Sequence, residues 1–332
     1  MPRSAHPLIV ARDPLVPPPG LESAVVAIGN FDGLHRGHRG VIARAQALAE
    51  RLGKPCALLT FEPHPADCFA GASVIFRLTP PDAKAALLAR LGLDGMIILT
   101  FDKAFASRPP QDFTEDILSR RLGISAAVAG YDFCFGAKRA GNPDFLRAEG
   151  ERLGFSVEIV ERITQDESGS LDAVSSTATR EALAAGDVEL AAKLLGHPYF
   201  VEGVVLHGKK LGRTLGFPTA NIELDPSNRL RHGIYAVTLE TDGVVHEGVA
   251  NFGRRPTVDN GPPLLEVFVF DFDGDLYGKT VEVAFIGFVR GEAKFPSLDA
   301  LTAQMREDAA RAREILAAHR GADGLAPPRR EE

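Results

Sequence analysis

Short apolar runs alternate with longer amphipathic stretches through the first half of the chain, and that alternation predicts the fold. Ala24–Gly29, Cys56–Phe61, Gly95–Phe101, Ser125–Gly130 and Phe155–Val160 read as buried strands. Between them, Arg39–Arg51 (ending near Gly53), Pro81–Leu91, Pro110–Leu122 and the region around Asp144–Leu153 read as helices. Apolar strands separated by helices of ~10–15 residues indicate a parallel sheet covered on both faces. Thr177–Leu195 reads as two short helices broken at Gly186–Asp187. After Pro198 the pattern changes. Tyr199–Leu206, Gly233–Glu240, Val244–Phe252, Leu264–Phe270 and Thr280–Ile286 read as strands, with no helix until Ser297–His319. That is an all-β unit closed by one helix, expected to be a small antiparallel barrel. The expected organisation is an α/β domain over residues 1–186, a β-barrel domain over 187–322, and a polar, proline-containing tail over 323–332 expected to be disordered.

Composition narrows the class further. The 332 residues suffice for two domains of ordinary size, and 45% of them are apolar, enough for two cores. No apolar run approaches the ~18–20 residues of a membrane-spanning helix. Prolines interrupt Met1–Gly20 where a secretory signal would keep a continuous apolar stretch, so secretion is not expected. Three cysteines, Cys56, Cys68 and Cys134, show neither CxxC spacing nor an even count, which points to reduced thiols and a cytoplasmic protein. A net charge of −7 argues against a nucleic-acid partner. The expectation is a cytoplasmic enzyme acting on small molecules, with its oligomeric state undetermined.

The chemistry begins at Gly29-Asn30-Phe31-Asp32-Gly33-Leu34-His35-Arg36-Gly37-His38, where a strand ends, glycines allow a tight turn, and a helix starts at about His38. The N–H groups and positive dipole end of such a helix face an anion. His35 and His38 can point into one pocket and donate to phosphate oxygens, stabilising charge that develops during attack on an α-phosphate. Gly37 removes a side chain where a nucleotide could approach the backbone.

A different phosphate device lies in the second half: His207-Gly208-Lys209-Lys210-Leu211-Gly212-Arg213-Thr214-Leu215-Gly216-Phe217-Pro218-Thr219-Ala220-Asn221. It does not match GxxxxGK[ST], so it is not an ordinary P-loop. Gly208, Lys209, Gly212, Arg213, Gly216 and Pro218 form a glycine-punctuated, cationic stretch suited to the phosphates of ATP. Thr219 and Asn221, two apart on an extended chain, share one side and carry hard oxygens of the kind Mg²⁺ takes beside ATP phosphates. Glu266 shares a strand face with Phe268 and Phe270. A carboxylate there is either an outward edge residue or a general base for a substrate hydroxyl attacking the γ-phosphate. The acidic stretch Asp271–Gly278 lacks calcium-loop spacing and reads as a hairpin turn.

The Gly29–His38 segment, Phe61-Glu62-Pro63-His64-Pro65, Gly130-Tyr131-Asp132-Phe133-Cys134-Phe135-Gly136 and Val174-Ser175-Ser176-Thr177, in that order, resemble the bifunctional riboflavin kinase/FAD synthetase family of bacteria. The resemblance runs from residue 20 to residue 318. It implies a Rossmann-like HxGH nucleotidyltransferase domain that converts FMN and ATP to FAD and pyrophosphate. It also implies a barrel that converts riboflavin and ATP to FMN and ADP, with Glu266 as the base and Mg²⁺ used in both steps. On this reading ATP meets Gly29, Asn30, Phe31, Asp32, Gly33, His35, His38, Ser175, Ser176, Thr177 and Arg180. The flavin meets Glu62, His64, Asp132, Phe133, Phe135 and Arg139, the phenylalanines as stacking faces and Arg139 as a phosphate partner. The prolines around Glu62 and His64 are expected to fix an extended loop that walls the nucleotide site. Ala173 stands where many members of the family carry a basic residue. Two other functions remain open on the sequence: one active half with a binding module, or a flavin sensor without turnover.

Overall fold

The computed structural model describes residues 7–161, 174–207, 217–253 and 263–321. They fall into two compact units, one of residues up to 75 together with 79–175, the other of residues 76–78 together with 176 onward.

The first unit is a six-stranded, all-parallel sheet: β1 Ile9–Arg12, β2 Val25–Ile28, β3 Cys56–Glu62, β4 Gly95–Thr100, β5 Ala126–Gly130 and β6 Ser156–Val160. β2, β3 and most of β4 and β5 are wholly buried, as their continuous apolar sequences require for a sheet covered on both faces. The strand order is β1-β4-β3-β2-β5-β6. Winding therefore reverses between β2 and β5, and ligands of such sheets collect beyond the strand carboxyl ends at that reversal.

Helix α1, Arg36–Leu52, turns Val41, Ile42, Ala45, Leu48 and Ala49 to the sheet. It stops at Gly53, whose left-handed φ of 62° lets its N–H reach the carbonyls of Ala49 and Glu50. The other helices of the unit are α2 Pro65–Ala70, α3 Pro81–Arg90, α4 Lys103–Ala106, α5 Pro110–Asp112 and α6 Pro143–Leu153. The expected Pro110–Leu122 helix is α5 followed by a wide π-helical stretch, Phe113–Arg121.

In the second unit β7 Tyr199–Leu206, β8 Thr219–Glu223, β9 Gly233–Thr241, β10 Val244–Gly253, β11 Leu264–Val269 and β12 Thr280–Gly291 close into an antiparallel barrel, ordered β10-β11-β8-β7-β12-β9. Alternate residues fill the interior, among them Ala220, Ile222, Ala250, Phe252, Leu265, Val267 and Phe285. Tyr235 is buried there too; burial pushes its phenol well above the ordinary value, and its hydroxyl donates to the Arg231 carbonyl.

Two helices, α7 Ser176–Ala185 and α8 Val188–Leu195, lie in this second unit, a helix earlier than the expected 186/187 boundary. The reason is packing: Ala182, Leu183, Val188, Ala191 and Leu195 share the core of the barrel strands, as do Phe76 and Leu78. A second cluster on the barrel's outer face, Ala236, Val249, Phe270 and Ile286, is covered by Ala312 and Leu316 of α9, Leu298–Gly321. The tail 323–332 lies outside the described residues.

Asp308, on α9 and 4% exposed, accepts two hydrogen bonds from Arg290 of β12, at 2.7 and 2.6 Å. Removing one partner strands the other charge, so Asp308→Ala is expected to cost about 2–4 kcal/mol in denaturant unfolding. A loss below about 0.5 kcal/mol would place the pair with ordinary surface bridges.

Candidate functional site

At the carboxyl end of β2 the chain makes a tight turn. Phe31 and Leu34 adopt left-handed φ values of 50° and 44°, strain of roughly 1–3 kcal/mol each that their burial offsets. The buried Asp32 accepts the Thr79 N–H at 3.0 Å, and the Gly33 N–H donates to the Thr79 hydroxyl at 2.8 Å. Asp32 thus fastens the turn.

Helix α1 begins at Arg36, two residues before the expected start, because His35 caps it: its Nδ1 accepts the His38 N–H at 3.2 Å. With Nδ1 an acceptor, the proton of the neutral ring sits on Nε2, the nitrogen able to donate to an anion. The rings of His35 and His38 stack at 3.6 Å, 17° from parallel, and Phe31 lies 5.1 Å from His38. The two imidazoles the sequence singled out are therefore side by side at the amino end of a helix. A Cβ on Gly37 would lie 3.1 Å from the His35 ring. Gly37 thus makes room for His35, a different service from the nucleotide approach expected of it. A Cβ on Gly29 would likewise crowd the Phe31 ring at 3.2 Å. Arg39 donates to the Leu34 carbonyl, and burial lowers its guanidinium from the ordinary value.

Glu62, at the end of β3, is buried 3.8 Å from the Lys84 ammonium. Glu62 is still in β3, and His64 ends the short extended link that follows it, with φ −56° and ψ 136°. His64 caps α2, accepting the Ala66 N–H, with Pro65 in the first helical position where a missing N–H costs nothing. At the end of β5, Asp132 is exposed and Phe133 is half-buried, stacked on Phe135 at 5.4 Å. Phe135 itself is a core residue against Phe113 and Phe145, so of the two rings Phe133 is the one with a face to offer. Arg139 is exposed, at φ 58°. Ser175 closes the first unit, and the Val174 carbonyl ahead of it lies 3.6 Å from a Cβ placed on Gly37. Ser176, Thr177 and Arg180 open α7, where Arg180 Nε donates to the Phe76 carbonyl at 2.8 Å.

On the barrel, strand alternation turns Thr219, Asn221, Glu266, Phe268 and Asn251 outward, while their neighbours fill the core. The ladder sets Glu266 directly between Asn221 on β8 and Asn251 on β10, a polar row across three strands. The Asn251 amide donates to Glu266 Oε2 at 3.4 Å. The Asn221 amide nitrogen donates to the Thr219 carbonyl at 3.3 Å. Asp271, the next carboxylate along, is held by Arg313 at 2.9 and 3.0 Å and kept below the ordinary carboxylate range by it. Phe217 meets Phe268 edge-on at 4.9 Å. Gly208, Lys209, Gly212, Arg213 and Gly216, and Ala173 in the first half, lie outside the described residues.

Sequence reading missed Asn251, Thr60 and Lys84. Lys84 had a signal: it stands at helical spacing from Leu87 and Leu88, on the buried stripe of α3. Asn251 and Thr60 had none, since their partners are distant in sequence. Among the described residues no group of three or more His, Cys, Asp or Glu could hold a metal ion.

Residues 18–178 match the family model for FAD synthetase, and residues 195–316 match that for riboflavin kinase. A bifunctional riboflavin kinase/FMN adenylyltransferase of Haemophilus influenzae is 43% identical over 87% of this chain and 92% of its own. One of Escherichia coli is 40% identical over 89% and 93%. A solved structure described as a macrolide-efflux protein of Streptococcus pneumoniae is 31% identical, covers 92% of this chain and 99% of that one, and superposes with a TM-score of 0.81.

The histidine cap can be separated from any chemistry. His35→Ala removes the acceptor of the His38 N–H and should lower stability by about 1 kcal/mol, whereas His35→Asn, which keeps an acceptor, should restore most of it in a thermal melt. Equal melting of the two variants would exclude the cap as a source of stability.

Proposed function

Because this chain belongs to the bifunctional riboflavin kinase/FMN adenylyltransferase family, we propose that its two reactions run at the two constellations described above. The C-terminal riboflavin kinase unit makes FMN from riboflavin and ATP, and the N-terminal FAD synthetase unit makes FAD from FMN and ATP. The assignment of residues rests above all on one observation: the stacked His35 and His38 stand at the amino end of α1, at the winding reversal of the sheet.

In adenylyl transfer an FMN phosphate oxygen attacks the α-phosphorus of ATP, the bond to the β-phosphate oxygen breaks, and pyrophosphate leaves. The Nε2–H of His35, the His38 ring and the first N–H groups of α1 stabilise the charge that accumulates on the α-phosphate. No protein nucleophile is needed. Gly29 to Gly33 form the turn beneath ATP, with Ser175 as a further ATP contact. Phe133 supplies the flavin a stacking face, backed by Phe135, while Asp132, Arg139, Glu62 and His64 line the flavin side.

In the kinase reaction Glu266 takes the proton of the riboflavin 5′-hydroxyl as its oxygen attacks the γ-phosphorus, and ADP leaves. Gly208, Lys209, Gly212, Arg213, Gly216 and Pro218 are assigned to the ATP phosphates. The side-chain oxygens of Thr219 and Asn221, two apart on β8, are the hard donors Mg²⁺ would take beside phosphates and water. When bound, the ion neutralises phosphate charge in the transition state. Arg313 commits Asp271 elsewhere, which leaves Glu266 as the carboxylate in the row. Reduced thiols and small-molecule substrates fit a cytoplasmic setting, and among the described residues no helix is long and apolar enough to cross a membrane. The adenylyltransferase reaction is assigned to the unit that ends at Ser175 and the kinase reaction to the unit that begins at Ser176.

Glu266→Gln separates the two sites. Conversion of riboflavin to FMN should fall ~10²-fold or more while FAD formation from added FMN continues. His38→Ala should do the reverse, with FAD formation falling ~10²–10³-fold and FMN accumulating. Chromatography of the flavins after incubation with ATP and Mg²⁺ reads both. A Glu266→Gln protein that phosphorylates riboflavin at the parent rate would falsify the assignment of the base, and comparable losses in both steps would show that the sites are not chemically independent.

A further inference from the structure

Lys84 is the least expected residue in the first unit. Its side chain is 1% exposed, and an ammonium is not left in a protein interior without strong partners. It projects from α3 to the carboxyl ends of β2 and β3. There Nζ donates to the Asn30 carbonyl at 2.8 Å and to the Thr60 hydroxyl at 3.1 Å, and lies 3.8 Å from Glu62. The Thr60 hydroxyl in turn donates to the same Asn30 carbonyl at 3.0 Å. Asn30 is the residue at which β2 gives way to the turn carrying His35 and His38.

Lys84 does not act alone. Thr79, just ahead of α3, takes the Gly33 N–H on its hydroxyl and gives its own N–H to Asp32. Within four consecutive turn residues, Asn30, Asp32 and Gly33 are therefore each tied to the segment Thr79–Lys84. The tie has something to hold: Phe31 and Leu34 sit in the left-handed region, a conformation that side chains keep only when their surroundings enforce it. Because Lys84 is sealed from solvent, its ammonium cannot be a phosphate ligand. It acts on the reaction only through what it holds.

We infer that Lys84 and Thr60 are positioning residues for adenylyl transfer: together they fix the Asn30 carbonyl and so set where His35 and His38 meet the α-phosphate. The same ammonium reaches Glu62, so one buried charge spaces the histidine turn from the segment after β3. This rests on the reading of His35 and His38 as the adenylyl-transfer pair.

The test uses the full chain and compares Thr60→Val, Thr60→Ser and Lys84→Met in steady-state FMN adenylylation, with riboflavin phosphorylation by the same samples as the control for an intact barrel. Valine keeps the shape of threonine and removes the hydroxyl; serine keeps the hydroxyl. Displacing a preorganised catalytic group by about 1 Å costs up to ~10²-fold, so Thr60→Val should lower kcat by about 10–100-fold with KM for ATP and FMN within about twofold. Thr60→Ser should recover most of the parent kcat, and Lys84→Met should fall at least as far as Thr60→Val. Parent kcat in Thr60→Val overturns the inference, as does a rise in KM at unchanged kcat, or an equal loss in Thr60→Ser. His38→Ala measured alongside keeps the two failures apart. If it still makes FAD at the parent rate, the site reading fails and takes the inference with it; if it is silent while Thr60→Val is fully active, only the positioning role is wrong.

Discussion

A parallel sheet joined by right-handed crossovers must reverse its winding to cover both of its faces, and the rest of the first unit follows from where that happens. Between β2 and β5 the crossovers depart in opposite directions, the place where sheets of this kind receive ligands. The Gly29–His38 turn leaves one strand and the Tyr131–Gly136 segment leaves the other. Phe31 and Leu34 accept left-handed backbone, Gly37 lacks a side chain where the His35 ring lies, and the His35 Nδ1 caps the helix.

The barrel solves its problem in the opposite sense. Its interior is filled with apolar side chains. Strand alternation exports the polar residues to the outer face, and register brings Asn221, Glu266 and Asn251 abreast. Part of that outer face is kept from solvent by α9, held to β12 by Arg290 and Asp308. A carboxylate that looks misplaced on an apolar strand is thus in a row where two amides flank it.

Most of the architecture was legible because it follows from local periodicity. Buried parallel strands announce themselves as unbroken apolar runs, and barrel strands by their spacing. What escaped was decided by contacts remote in sequence or by unusual caps. β1 is a four-residue edge strand, recognisable only by its pairing with β4. β8 begins directly after Pro218, and reading Thr219–Asn221 as extended chain stopped short of seeing a strand. Helices α1 and α2 start with histidine caps, outside the residues normally taken as a start signal, which moved one boundary and hid a helix behind prolines. The histidine pair and the Thr219–Asn221 face could be named from spacing alone. Asn251, Thr60 and Thr79 could not, because a hydrogen bond across a sheet leaves no periodic trace.

Phe76 and Leu78 belong to the core of the barrel unit although the chain around them builds the sheet unit. The two units are consequently interlaced along the chain. A recombination event that lifted residues 176–332 into another gene would carry away a core missing two of its apolar members, and the stretch left behind would display them to water. Exchange of either half between lineages is therefore constrained by three residues far from the apparent junction, and substitutions at Phe76 or Leu78 should be inherited in step with those of Tyr199 and Leu183 rather than with their own neighbours along the chain.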